Sequence, residues 1–105
     1  MEKDSKKLQE LQMLEQNLQN LFFQKQAFQM ELSETLSALK EIENSSGDVF
    51  KIIGQLMIKK DKSEIKKDLE EKKKVLELRI KSIEKQEETF TSKVRTLREE
   101  LIKSK

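Results

Sequence analysis

The chain has 105 residues, of which 34% are hydrophobic and 40% charged, with no proline and only two glycines, a balance that suits long helices better than a compact globule. It contains neither cysteine nor histidine, which excludes disulfide frameworks, thiol chemistry, Cys/His zinc sites and imidazole acid/base catalysis. A net charge of +2 is too small to point to nucleic acid.

The first predicted element is a helical arm over 3–43. Leu11, Leu14, Leu18, Leu21, Lys25, Phe28, Leu32, Thr35, Leu39 and Ile42 step by three and four throughout, which is the a/d seam of a coiled coil. Leu8, Phe22 and Leu36 lie beside that seam and widen it, as if for contacts beyond one partner helix. At ~1.5 Å per residue the arm is about 60 Å long. It stops at Asn44, Ser45, Ser46 and Gly47, where side chains compete with the backbone and glycine tolerates the left-handed turn that ends helices.

Residues 44–62 interrupt the heptads with a linker and an apolar β-hairpin. Val49 to Ile53 and Leu56 to Lys60 are rich in β-branched and apolar side chains and flank Gly54-Gln55, which suits a two-residue turn with glycine first. Pairing across it places Val49, Ile53, Leu56 and Ile58 on one face and Phe50, Ile52 and Met57 on the other. Both faces are then apolar, with Lys51, Lys59 and Lys60 as exceptions. An isolated two-stranded hairpin is marginal in water and its open edges invite pairing. Because both arms are committed to each other, the expected cover is another chain. Val49, Phe50, Ile52, Ile53, Gly54, Leu56, Met57 and Ile58 are therefore predicted subunit-interface residues, and hairpins set side by side would close into an intersubunit barrel.

A second helical arm is expected over 63–103. Leu69, Lys73, Leu76, Ile80, Ile83, Glu87, Phe90, Val94, Leu97 and Leu101 repeat the heptad spacing, and Asp61 or Ser63 is the candidate N-cap, with Glu64 at capping-box distance from Asp61. Antiparallel arms pair their seam positions at a constant residue-number sum of 108, which places Leu39 against Leu69, Leu32 against Leu76, Leu18 against Phe90, Leu14 against Val94 and Leu11 against Leu97. Thr35/Lys73, Lys25/Ile83 and Leu21/Glu87 are then the polar layers. Lys25 and Glu87 are expected to snorkel to solvent, with an interhelical ion pair as the alternative. Residues 1–43 carry 5 basic and 8 acidic side chains and residues 59–105 carry 16 and 11, so the arms attract each other weakly and in a salt-dependent way. The fold expected is mainly α: one 1–105 domain, a long antiparallel two-helix coiled coil with a β-hairpin between its arms.

Helical arm, then Val49-Phe50-Lys51-Ile52-Ile53-Gly54 with Leu56-Met57-Ile58-Lys59, then second arm, resembles the β-type subunit of prefoldin in archaea and its eukaryotic counterparts. Gln24-Lys25-Gln26 leading into Glu31-Leu32 is similar to a stretch of that family's first arm, and one hairpin rather than two fits the β type. The resemblance covers nearly the whole chain. It implies an ATP-independent chaperone: a hexamer of two α-type and four β-type subunits whose hairpins form a double β-barrel platform. Its coiled-coil tips capture unfolded proteins and pass them to a group II chaperonin. The chemistry at the tips agrees, because helix ends fray and bury a seam incompletely. Leu8, Leu11, Met13, Leu14, Val94, Leu97, Leu101 and Ile102 are the predicted client-binding residues, more apolar surface than one two-helix layer can bury.

Other function classes fare worse. The basic run Lys59, Lys60, Lys62, Lys66, Lys67, Lys72, Lys73, Lys74 is interleaved with Asp61, Glu64, Asp68, Glu70 and Glu71, and there is no Tyr or Trp to stack on bases, so it reads as a solvated face rather than a nucleic-acid site. A purely structural coiled-coil scaffold is the alternative function, and it would need the heptads without the apolar hairpin. Between the arms only Asp48 and Asp61 could ligate a hard metal, too few for a site. No catalytic residue, metal or cofactor is expected. No apolar stretch approaches the ~20 residues needed to span a bilayer, and MEKDSKKLQELQ has no secretory apolar core, so a cytoplasmic protein without a membrane partner is expected.

Overall fold

The computed structural model describes residues 2–45, 49–53 and 56–103, arranged as α1 (Glu2–Asn44), β1 (Val49–Ile53), β2 (Leu56–Lys60) and α2 (Lys62–Lys103). The protein is mainly α, built on two long helices. Every one of the ten seam positions of α1 and the ten of α2 is buried or partly buried, while most positions between them are exposed. A 3-4 spacing keeps one narrow stripe of a helix turned to its partner. Leu8, Phe22 and Leu36, beside the seam, are exposed within the chain.

The chain divides into two compact units, residues 28–79 and residues 1–27 with 80–105. In the first, β1 and β2 pair antiparallel with Ile53 opposite Leu56 and Val49 opposite Lys60. The predicted turn at Gly54-Gln55 and the helix stop at Ser46-Gly47 lie outside the described residues. The end of α1 is fixed locally, because the Ser45 amide and hydroxyl both donate to the Ile42 carbonyl at 3.2 and 3.0 Å. Lys62 Nζ donates to the Ser45 carbonyl at 2.7 Å, which ties the start of α2 to the end of α1. Asp61 is the N-cap: its Oδ1 accepts the Ser63 amide at 3.3 Å and its carbonyl the Ile65 amide at 3.1 Å. A carboxylate there satisfies an otherwise orphaned amide at the positive end of the helix.

Among the described residues of this unit, Leu76 is the most deeply buried apolar side chain. Thr35 is a polar residue in the seam, and its hydroxyl donates to the Glu31 carbonyl one turn back at 2.8 Å. That bond lets it be buried without a cost for an unmade partner. The Arg79 guanidinium lies 5.6 Å from the Phe28 ring centroid, and Lys66 pairs with Glu43 at 3.7 Å.

In the other unit, Leu11, Leu14, Val94 and Leu97 form the core, with Leu18, Phe90 and Leu101 packed against it. This cluster gathers three of the layers expected from the antiparallel register. Lys25 and Glu87 do not snorkel to solvent. Lys25 Nζ donates to Glu87 Oε1 at 2.8 Å, and both side chains are only about a fifth exposed, 21% and 20%. A seam position shields both groups enough that a direct charge-assisted bond is favoured over separate hydration. The bond to Glu87, reinforced by the charges of Glu87 and Glu84, outweighs partial burial and holds the Lys25 ammonium above its ordinary value of 10.5.

Candidate functional site

The unit that contains both chain ends carries the predicted client-binding residues. Lys7 pairs with Glu100 at 3.3 Å and Arg98 with Glu15 at 2.6 Å, so the start of α1 and the end of α2 run side by side in opposite directions. The eight predicted residues divide into two sets. Leu11, Leu14, Val94 and Leu97 are buried against one another, and Leu101 is partly buried on that cluster. These five hold the arm together, because a helix pair with this spacing turns its a and d side chains inward. Leu8, Met13 and Ile102 are 49%, 67% and 71% exposed. Their apolar surface is the part free to meet another molecule.

Ion pairs cross the arm in this unit, Lys7 with Glu100 and Arg98 with Glu15, while Met13 lies among the uncharged Gln9, Gln12, Gln16 and Asn17. Exposed apolar side chains can accept a greasy segment without committing to one shape, and the unbranched Met13 adapts most readily. Further along the same unit, Phe22 and Phe23 are exposed, with ring centroids 6.0 Å apart and planes tilted by 59°. Phe23 lies off the seam, so heptad reading passed over it. The signal that could have found it is a large aromatic on the outward side of a helix.

The predicted interface residues Val49, Phe50, Ile52, Ile53, Leu56, Met57 and Ile58 all lie on the paired strands, whereas Gly54 is outside the described residues. Among the described residues there is no cluster of acidic, cysteine or histidine side chains that could hold a metal, and no helix is long and apolar enough to cross a membrane.

Residues 5–105 match the family described as prefoldin subunit. The chain is similar to prefoldin subunit beta of Methanothrix thermoacetophila, 36% identical over 99 residues that cover 92% of this chain and 82% of that one. It is similar also to prefoldin subunit beta of Thermococcus onnurineus, 38% identical over 96 residues covering 90% and 83%. Among solved structures, the crystal structure of the prefoldin beta subunit from Thermococcus strain KS-1 superposes with a TM-score of 0.91 at 33% identity, covering 97% of this chain and 91% of that one.

Proposed function

Since the chain belongs to the prefoldin subunit family, we propose that it is the β-type subunit of an ATP-independent chaperone and holds unfolded proteins at the free end of its helical arm. The observation that carries this reading is the exposure of Leu8, Met13 and Ile102 beside a completed core of Leu11, Leu14, Val94 and Leu97. Exposed apolar side chains outside the buried core suit weak and promiscuous capture. In the assembled particle, Val49, Phe50, Ile52, Ile53, Gly54, Leu56, Met57 and Ile58 pair with other subunits and close the strand edges into a barrel. Two α-type and four β-type subunits then present several arms to one client, and avidity compensates for weak single contacts. The client passes from the arms to a group II chaperonin in the cytoplasm.

The test is suppression of aggregation. The chain, mixed with an α-type partner, should keep a chemically denatured protein soluble on dilution, equally well with and without nucleotide. Aggregation at the rate seen with an inert protein of the same concentration would overturn the reading.

A further inference from the structure

Both helices carry charge of the wrong sign where they meet the hairpin. The last turn of α1 has no basic side chain and holds Glu41 and Glu43, although the C-terminal end of a helix is its negative end and favours cations. α2 opens on Lys62, with Lys66 and Lys67 close behind, at the positive end that favours anions. Neither choice suits its own helix. Both suit the neighbour, because Lys62 Nζ donates to the Ser45 carbonyl at 2.7 Å and Lys66 lies 3.7 Å from Glu43. The two contacts differ in weight. Lys66 and Glu43 are 43% and 60% exposed, and an ion pair in that setting contributes little. Lys62 is partly buried, and it gives a charge-assisted bond to the end of α1, where helix carbonyls run out of amides to accept from. Ser45 closes the Ile42 carbonyl from within α1, and Lys62 closes the Ser45 carbonyl from α2. The same bond spans the root of the hairpin. β1 begins at Val49, a few residues after Ser45, and β2 ends at Lys60, just before Lys62, with Val49 opposite Lys60 in the strand register.

We propose that Lys62 is an electrostatic clasp: by capping α1 from α2 it ties together the two ends of the hairpin segment and holds β1 and β2 in the register from which they pair with other subunits. A lone two-stranded hairpin is marginal in water, and part of what opposes it is the entropy of bringing its ends together. Pairing of the arms brings those ends near each other, and the Lys62 bond fixes their separation at the point of departure. Lys62 is thus a positioning residue, acting on assembly through the strands. Dissolved ions weaken a bond of this kind, whereas apolar packing is not screened, so the clasp opens as salt rises while the arms stay paired. Its effect on assembly rests on the platform reading proposed above. The clasp itself is a property of one chain.

The test is amide hydrogen exchange in the full chain, read by NMR at Glu43, Asn44 and Ser45. Lys62→Met keeps an unbranched apolar stem and removes the charge. Exchange at these amides should quicken about tenfold at low salt, the effect of losing one hydrogen bond to a charged group, with the thermal midpoint of the arms unchanged. Lys62→Arg should restore the parent rate, and Lys66→Met should leave it as it is. At about 1 M sodium chloride, where the screening length falls to about 3 Å, parent and Lys62→Met should exchange alike. Equal rates at low salt overturn the clasp. A difference that persists at high salt also overturns it, because packing of the stem would then be the cause. For assembly, the chain is labelled with donor and acceptor dyes and mixed with an α-type partner, and subunit exchange between particles is followed by energy transfer. Exchange should be faster for Lys62→Met than for the parent, and equal rates would overturn the role of the clasp in assembly. A parent that forms no particle overturns the platform reading, and the clasp then stands or falls on the amide exchange.

Discussion

Replacing Leu8, Met13 and Ile102 with serine should abolish most client capture while leaving the fold intact. Fully burying a Leu, Ile or Met side chain contributes about 1.5–3 kcal/mol. Scaled by exposures of 49%, 67% and 71%, the three can together offer a client about 4 kcal/mol if covered completely. Contact with an irregular client covers about half of that surface, so about 2 kcal/mol should be lost, roughly a thirtyfold drop in affinity. Exposed side chains carry little of the folding energy, and the thermal midpoint should move by no more than the shift of about 0.5 kcal/mol typical of each surface change. Leu101 is deliberately retained, because it packs on the Leu11, Leu14, Val94, Leu97 core and its loss would confuse capture with stability. Anisotropy with an unfolded probe and circular dichroism melts at one protein concentration give both quantities. Unchanged affinity in the triple variant, with an unchanged melt, would refute the assignment of these side chains to client contact.

Leu76 and Leu78 are two residues apart on α2, yet one is 2% and the other 67% exposed; Leu76→Ala should cost about 2.5 kcal/mol and lower the thermal midpoint by about 10 °C or more, while Leu78→Ala stays within about 0.5 kcal/mol. Equal shifts for the two would contradict the assignment of faces. Bonding to Glu87 raises the Lys25 pKa above 10.5, so this pair stabilises the fold fully below pH 10.5 and loses its contribution as pH rises through the raised value. The gap in thermal midpoint between the parent and Lys25→Met should accordingly be constant from neutral pH to about 10 and close at higher pH; a gap that persists through pH 12 would show that the ion pair is not its cause. Ile53→Asp with Leu56→Asp should dissociate the assembly in light scattering while helical circular dichroism persists, since charge would be buried between paired subunits, and an unchanged mass would rule out a strand-built platform.

The sequence by itself determined the helical arms and their faces. A 3-4 apolar repeat is a local property of the chain, and a helix converts it into one stripe whatever its surroundings, so every predicted seam position proved at least partly buried. The end of α1 and the start of α2 were legible for the same reason, since Ser45 and Asp61 act on backbone groups within a few residues of themselves. Tertiary structure decided what depends on the partner helix. Periodicity places Leu8, Phe22 and Leu36 beside the seam, but only the folded chain shows that α2 leaves them exposed. Lys25 and Glu87 were assigned to adjacent layers by counting, and whether they hydrate or bond was settled only by the distance between two long side chains in a largely shielded setting.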